Sequence, residues 1–301
     1  MQTRYSIIIP HYHTPQLLSR CLRSIPQRPD VEVLVVDDCS PEADALKTLC
    51  PELLRDDVTL LTTPQGGSAG RARNVGIDHA RGEWCLFADA DDYYVEGFLD
   101  VLDCQLADVA GTLDILYYNV AGEGKRARLH RQIFDLYVAH DDDTEVRYHI
   151  WAPWNKVIAC RLIVSHQLRF EEVRVGNDAL FCLHASRAAS HYRIISDCLY
   201  CLCDNDGSLT FRPQTFGREM DYTDVHIRIT RFMHEQGLDL RYGYHVFSIA
   251  RLRRFAREYG WSEAWAYLRL VSRGYGLVRA LLYNRRRKAY QASHPQYLYC
   301  D

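Results

Sequence analysis

Residues 83–94 read EWCLFADADDYY: an apolar run, Trp84 to Ala88, opens directly into Asp89, Asp91 and Asp92. Carboxylates this close raise one another's pKa unless something positive lies between them. Either the turn is simply solvated, or it holds a metal ion, without which its side chains are expected to splay apart. A second acidic pair, Asp37 and Asp38, closes the run VEVLVVDD. Mg2+ or Mn2+ is commonly held by one or two carboxylates, with phosphate oxygens completing its shell. The other pair can accept hydrogen bonds from the ring N–H and hydroxyl groups of a nucleoside. Together they describe a nucleotide-diphosphate site in which the metal neutralises leaving-group charge. The stretch QGGSAGRARN, residues 65–74, fits such a site. Its glycines, Gly67 among them, let the backbone approach a ligand closely, and Arg71 and Arg73 can reach phosphate or base. It lacks a P-loop lysine and the GxxxxGK[ST] spacing, which sets ordinary NTPase chemistry aside. Asp178, after Gly176 and Asn177, has two readings. It is a helix-capping acid, or a general base for a hydroxyl nucleophile with its pKa lowered by the helix dipole.

These groups need elements that bring them together. Tyr5–Pro10, Val31–Asp38, Val58–Thr63 and Glu83–Ala88 read as buried strands. Helical stretches at Gln16–Ile25, Glu42–Leu49 and after the Gly-rich turn lie between them, the last stopped by Gly82. Such alternation predicts βαβ units and a mostly parallel sheet, with ligands bound at the carboxyl ends of the strands. Pro10, Asp37, Asp38, Asp89 and Asp91 all lie at such ends. Asp92 is expected to point elsewhere and cap a helix over Val95–Leu102. Leu113–Val120 reads as a strand, 121–143 as polar loop with short elements, and the residues from Asn177 onward as a helix. Tyr192–Ile195 and Leu199–Cys203 read as two strand-like runs. From about Thr215 the period is helical, with an apolar stripe through Val246, Ile249, Ala250, Phe255, Ala256 and Tyr259. The expected division is an α/β domain over 1–212 and a helical, basic region over 213–301.

Composition limits the partners. The chain has 301 residues, 48% of them hydrophobic and 25% charged, which affords a full core. It contains no run of about 18 apolar residues, and the apolar part of MQTRYSIIIPHYH is too short for a signal-peptide core. Eleven cysteines without a signal segment predict free thiols and a cytoplasmic setting. CLYCLC contains a CxxC but no second pair at zinc spacing, so it reads as a strand. Charge is unevenly spread: residues 241–301 hold twelve Lys/Arg against three Asp/Glu, a surplus of nine, while the whole chain is at −3. A basic tail on an acidic body suggests a membrane surface or an anionic acceptor, with no nucleic acid expected.

The residues in order resemble the family 2 glycosyltransferases of GT-A fold, the bacterial cell-surface polysaccharide type. SIIIPHYH…VEVLVVDDCSPE is similar to that family's first nucleotide-binding block. GGSAGRARNVGIDHARGEWCLFADADDYY resembles its second, ending in a DXD motif at Asp89-Ala90-Asp91. WNKVIACRLI…VRVGNDALF and LYCLCDNDGSLT resemble the later blocks, so the likeness runs over about residues 4–212.

That resemblance implies a Rossmann-like α/β fold and inverting transfer of a sugar from a nucleotide-sugar donor, by default a UDP-sugar, to a glycan or lipid-linked hydroxyl. It implies that Pro10 and Tyr12 line the base pocket and that Asp38 bonds the base. Asp89 meets ribose or metal, Asp91 coordinates Mg2+ or Mn2+, and Asp178 is the base. Trp154 and Lys156 are candidate acceptor or diphosphate contacts, Trp154 being equally a core residue. Ser208, Thr210 and Arg212 either close over the diphosphate or form a plain turn. Two positions depart from the family pattern: His13 stands where Asn is usual, and Asn177 where Glu usually precedes the base, which puts acceptor identity in question. His11, His13 and His184 are metal ligands or structural. The competing readings are a nucleotidyltransferase, which should show a Gly-rich basic loop where this chain has PHYHTP, and a degenerate nucleotide-binding scaffold. The implied location is cytoplasmic, or peripheral on the inner face of the membrane.

Overall fold

The computed structural model describes residues 2–109, 111–204 and 215–297. The chain forms two compact units, Met1–Ser208 and Leu209–Asp301. In order, the first contains β1 (Tyr5–His11), α1 (Pro15–Arg23), β2 (Val31–Asp37), α2 (Leu46–Leu49), β3 (Val58–Thr62) and α3 (Ala69–His79). Next come β4 (Trp84–Phe87), β5 (Tyr93–Tyr94), α4 (Phe98–Leu106), β6 (Ile115–Ala121) and α5 (Lys125–His140). The unit continues through β7 (Lys156–Ala159), α6 (Cys160–Ser165), α7 (Ala179–Ala188) and β8 (Tyr192–Cys201). The second unit contains α8 (Phe216–Glu235), α9 (Asp239–Tyr242), α10 (Ile249–Glu258), α11 (Trp261–Gly274) and α12 (Leu277–Ser293).

The strands make one eight-stranded sheet in the order β3-β2-β1-β4-β7-β6-β8-β5. The first four are parallel, with His11 of β1 level with Asp37 of β2. Every residue of β1, β2 and β4 is buried, which is why these strands read as unbroken apolar runs. The other half is mixed: β7 runs antiparallel to β4 and β6, β8 is parallel to β6, and β5 is antiparallel to β8. The switch point therefore falls between β1 and β4, and the turn carrying Asp89 and Asp91 follows β4 there.

Close packing fixes the helix that follows the Gly-rich turn. A Cβ on Gly76 would lie 2.4 Å from Ile8 Cγ2, so only hydrogen lets α3 rest on β1.

Three sequence readings are corrected here. Residues 121–143 are not a loop: α5 occupies 125–140, held by buried Ala127, Ile133 and Phe134 and ended by Asp141 in the left-handed region at φ 50°. Its apolar residues are too sparse to show a stripe. The two runs near 192 and 199 are one strand, β8, whose middle is exposed at Ser196–Cys198. The pairing of β6 with β8 shifts register between Tyr117 and Val120, which breaks the alternation that a strand pattern relies on. In the second unit, α10 starts at Ile249, capped by the Ser248 side chain, and leaves Ile249 52% exposed rather than in the core. That core is instead Ile227, Val246, Phe255, Tyr267, Val271 and their neighbours. No helix among the described residues is long and apolar enough to cross a membrane.

Gly76→Ala should lower the unfolding free energy by about 1–3 kcal/mol, the range for overpacking. Urea denaturation followed by circular dichroism checks it; an unchanged midpoint would show that α3 can lift off β1 freely.

Candidate active site

At the end of β1, Pro10 and His11 are buried while Tyr12 is 56% exposed. His11 Nδ1 lies 2.7 Å from Asp37 Oδ1, and its Nε2 accepts from the Thr14 N–H at 3.2 Å. Both ring nitrogens are thus used inside the protein. Burial pushes the Asp37 carboxyl up, but hydrogen bonds from His11 and Ser40 outweigh it and hold the pKa below its usual value. Asp37 therefore builds the turn after β2 and is not turned towards a ligand. His13, at φ 54°, pairs with Glu42 at 2.6 Å, and His184 is exposed on α7. Among the described residues no histidine belongs to a group able to hold a metal.

Asp38 is buried at the same strand end. Its oxygens accept from Thr63 Oγ1 at 2.8 Å and from the Gly67 N–H at 3.0 Å. It thereby fastens the Gly-rich turn to β2 and keeps remaining lone pairs for a further donor.

Arg71 and Arg73 are spent within the protein rather than held out for a ligand. Arg71 Nε donates to Glu172 at 2.8 Å. Arg73 is buried; one arm donates to Asp89 Oδ1 at 2.6 Å, the other to Asn177 Oδ1 at 2.8 Å. Asn74 bonds both the N–H and the carbonyl of Phe170. A Cβ on Gly70 would stand 2.1 Å from the Glu171 carbonyl. One face of α3 thus clamps the segment 170–177 that leads to Asp178.

The acidic group is tighter than its charges alone would allow. Carboxylate oxygens of Asp89, Asp91 and Asp92 lie within 4.8 Å of one another, so the acids do not splay. Two guanidiniums compensate: that of Arg73, and that of Arg126 on α5, whose Nη2 is 3.7 Å from both Asp89 and Asp92. The Tyr200 hydroxyl on β8 accepts from the Asp89 N–H at 2.8 Å and fixes the turn. Asp92 corrects the expectation of a cap. Gly97 precedes α4, and the Asp92 side chain turns fully inward, its Oδ1 accepting from the Cys203 N–H at 2.7 Å. Its Oδ2 is buried without a hydrogen-bond partner. Burial first, then repulsion by Asp89 and Asp91 against the pull of Arg126, pushes the Asp92 carboxyl up to about 8. Three carboxylates on one turn, one with an orphaned buried oxygen, are a hard donor set that fits a divalent cation.

Asp178 stands at the start of α7 without capping it. Its pKa is raised, not lowered as the helix dipole alone would have it: burial dominates, Arg73 opposes it and Asp89 adds to it. A desolvated carboxylate of raised pKa is a better proton acceptor.

Two candidates belong elsewhere. Trp154 is a core residue, buried and stacked on Tyr200 at 5.8 Å and 9°. Lys156 is fully buried, its Nζ donating to the Ile150 and Ala152 carbonyls and to Asn155 Oδ1 at 2.7–3.0 Å. Burial pulls its pKa down to about 8, and all three of its protons are engaged, so it is no diphosphate contact. Ser208, Thr210 and Arg212 lie outside the described residues. Arg126 and Tyr200 were not foreseen. Nothing in KRARLHR marks one arginine among four basic residues, and Tyr200 reads as an ordinary strand aromatic.

A sheet with this switch point, a DXD turn beside it and a half-buried carboxylate near it make up the GT-A fold of glycosyltransferases. Residues 6–147 match the family described as glycosyl transferase family 2. The chain is 27% identical over 222 residues, 69% of its length, to the uncharacterized glycosyltransferase EpsJ of Bacillus subtilis, spanning 63% of that protein. It is 25% identical to the succinoglycan biosynthesis protein ExoO of Rhizobium meliloti, over 88% of this chain and 76% of that one. The fold matches the crystal structure of Staphylococcus aureus TarS 1-349 in complex with UDP-GlcNAc with a TM-score of 0.69 at 19% identity, covering 97% of this chain and 92% of that one. In sequence the likeness covers only 35% of whole TarS, a poly(ribitol-phosphate) beta-N-acetylglucosaminyltransferase.

The raised Asp92 pKa carries a sign. The folded state keeps a proton that the unfolded chain releases near pH 4, so stability should fall as pH rises from about 4 to 8. Asp92→Asn should flatten that slope in metal-free buffer. Urea midpoints at pH 5 and pH 8 test it, and parallel slopes for the two proteins would contradict the assignment.

Proposed function

We propose that this chain transfers a sugar, with inversion, from a UDP-sugar to a hydroxyl of a glycan or lipid-linked acceptor in cell-surface polysaccharide synthesis. One observation carries the reading. A single buried guanidinium, Arg73, ties the acidic turn at Asp89 to the residue before Asp178. This sets a metal-type acid cluster and a proton acceptor of raised pKa around one crevice.

In this reading Pro10 and Tyr12 flank the base, Asp38 bonds it, and the Gly67 backbone lies beside the diphosphate. Asp89 and Asp91, with Asp92 behind them, would hold Mg2+ or Mn2+. When bound, the metal neutralises charge on the departing diphosphate. Asp178 takes the proton of the acceptor hydroxyl as its oxygen bonds to the anomeric carbon. The bond from that carbon to the diphosphate breaks with its electron pair going to the diphosphate. The raised pKa of Asp178 makes it a better acceptor for that proton. Arg73 acts at one remove, as a positioning residue. The donor is argued from TarS, whose structure holds UDP-GlcNAc. The acceptor class is argued from relatives named as a succinoglycan biosynthesis protein and a poly(ribitol-phosphate) beta-N-acetylglucosaminyltransferase, and a lipid-linked acceptor would place the chain at the cytoplasmic face of the membrane. A nucleotidyltransferase finds no support in the turn after β1, where His11 and Asp37 build an internally bonded loop with no lysine or arginine in it.

Asp178→Asn should lower turnover by about 10²–10⁴-fold, the range for loss of a general base, while leaving UDP binding with Mn2+ unchanged in calorimetry. Normal turnover by the variant would sink the base assignment, and absent turnover by the parent with every nucleotide-sugar would favour the scaffold. The base must be ionised, so kcat/KM should fall with decreasing pH on a limb centred above about 4, the ordinary carboxylate value. An acid limb at or below that value would refute the role of burial. Asp91→Asn should abolish metal-dependent UDP binding, measured in the same calorimeter; unchanged binding would move the metal off this turn.

A further inference from the structure

The helical unit buries one side of α12 and presents an unusual other side. Ala280, Tyr283 and Arg287 are buried. Val278, Leu281 and Leu282 are 72%, 46% and 58% exposed. Positions 278, 281, 282 and 285 recur at three- and four-residue spacing and so share one face. A helix on the surface of a globular protein ordinarily keeps that face polar. Here three aliphatic side chains stand outward with Arg285 among them and Arg279 and Arg286 on the flank. Val278, Leu282 and the three arginines line a hollow of about 580 Å3 together with Tyr275. The acid in that hollow, Asp239, is bonded to His234 at 3.0 Å. Among the described residues Arg285, Arg286 and Lys288 have no carboxylate partner, whereas Arg254 of the same unit pairs with Glu219 and Glu258. On α11, Trp261 and Trp265, one turn apart, are 72% and 58% exposed.

We infer that this face of α12 docks on an anionic lipid bilayer, its guanidiniums on headgroup phosphates and its aliphatic side chains in the acyl boundary. The charge is complementary: the last 61 residues carry a surplus of nine positive charges on a chain that is net negative. Apolar side chains interleaved with arginines are what an interfacial helix uses, and exposed tryptophans favour the same boundary. A second copy docking through the same face would bring like charge against like. A nucleic acid would reward aromatic platforms along a basic groove, and the aliphatic face offers it none. Docking would hold the transferase where lipid-linked acceptors lie. That purpose rests on the proposed function; the binding does not.

The test uses the full chain and sedimentation with phosphatidylcholine vesicles, with and without phosphatidylglycerol. The chain should sediment with the anionic vesicles only, and less so as salt is raised. Arg285→Gln with Arg286→Gln should weaken partitioning about thirtyfold, roughly fivefold for each charge removed. Leu282→Ser should weaken it without changing the charge of the flank. Both variants should keep the parent's thermal unfolding and donor hydrolysis. Four results would overturn the inference: equal binding to neutral vesicles, unchanged binding by the variants, preference for RNA over vesicles at equal phosphate, or a dimer that the double variant dissolves. A chain that binds anionic vesicles yet hydrolyses no donor would refute the transferase reading and leave this one standing.

Discussion

The site depends on one buried cation. Arg73 joins two groups 16 and 104 residues away from it in the chain, the carboxylate of Asp89 and the amide of Asn177. A buried guanidinium is costly unless its geometry is satisfied, and removing either partner would leave charge uncompensated in a poorly solvated place. The fork shape of the side chain is what allows a single residue to set two walls at once; an ammonium has no such plane. Around it, Asn74, Gly70 and Arg71 repeat the attachment of α3 to the 170–177 segment, so the position of Asp178 follows from the position of α3. The contact of Gly76 with Ile8 places α3 in turn on the sheet.

The acidic turn shows how far protein cations go towards balancing clustered acids. Arg73 and Arg126 bring two positive charges to three carboxylates, and the third responds by holding its proton, with Asp92 pushed to about 8. The turn stays compact because Tyr200 and the Cys203 N–H fix its backbone and its innermost acid. Lys156 looks from its sequence position like another cation for the site, yet its whole charge is absorbed by two carbonyls and an amide beneath the crevice. It shores up the backbone around Ile150 and Ala152. Burial acts in opposite directions on these groups: it raises the pKa of Asp178 and Asp92 and makes Lys156 easier to deprotonate.

Most of the fold was legible where neighbouring strands are neighbours in pattern. In the parallel half β1, β2 and β4 are buried on both faces, so these strands announce themselves as continuous apolar runs and the acids after β2 and β4 fall at the ends of those runs. The antiparallel half was harder. The exposed centre of β8 split one strand into two apparent runs, and α5 buries too few residues for its period to show. The second unit read as helical throughout, though the outward apolar face of α12 inverts the usual rule that apolar spacing points to the core.

By itself the sequence determined which chemistry is present: the acids at strand ends, the Gly-rich turn without a P-loop lysine, and a carboxylate opening a helix. Those are properties of residue type and local spacing, which survive without knowledge of what lies across the crevice. Tertiary structure decided what each charge does. Arg71, Arg73 and Lys156 turned from ligand contacts into braces, Asp92 from a cap into the innermost acid, and Asp178 from a dipole-lowered acid into a burial-raised one. The reason is physical: pKa and pairing depend on desolvation and on partners more than a hundred residues distant, and neither is written in the neighbouring residues.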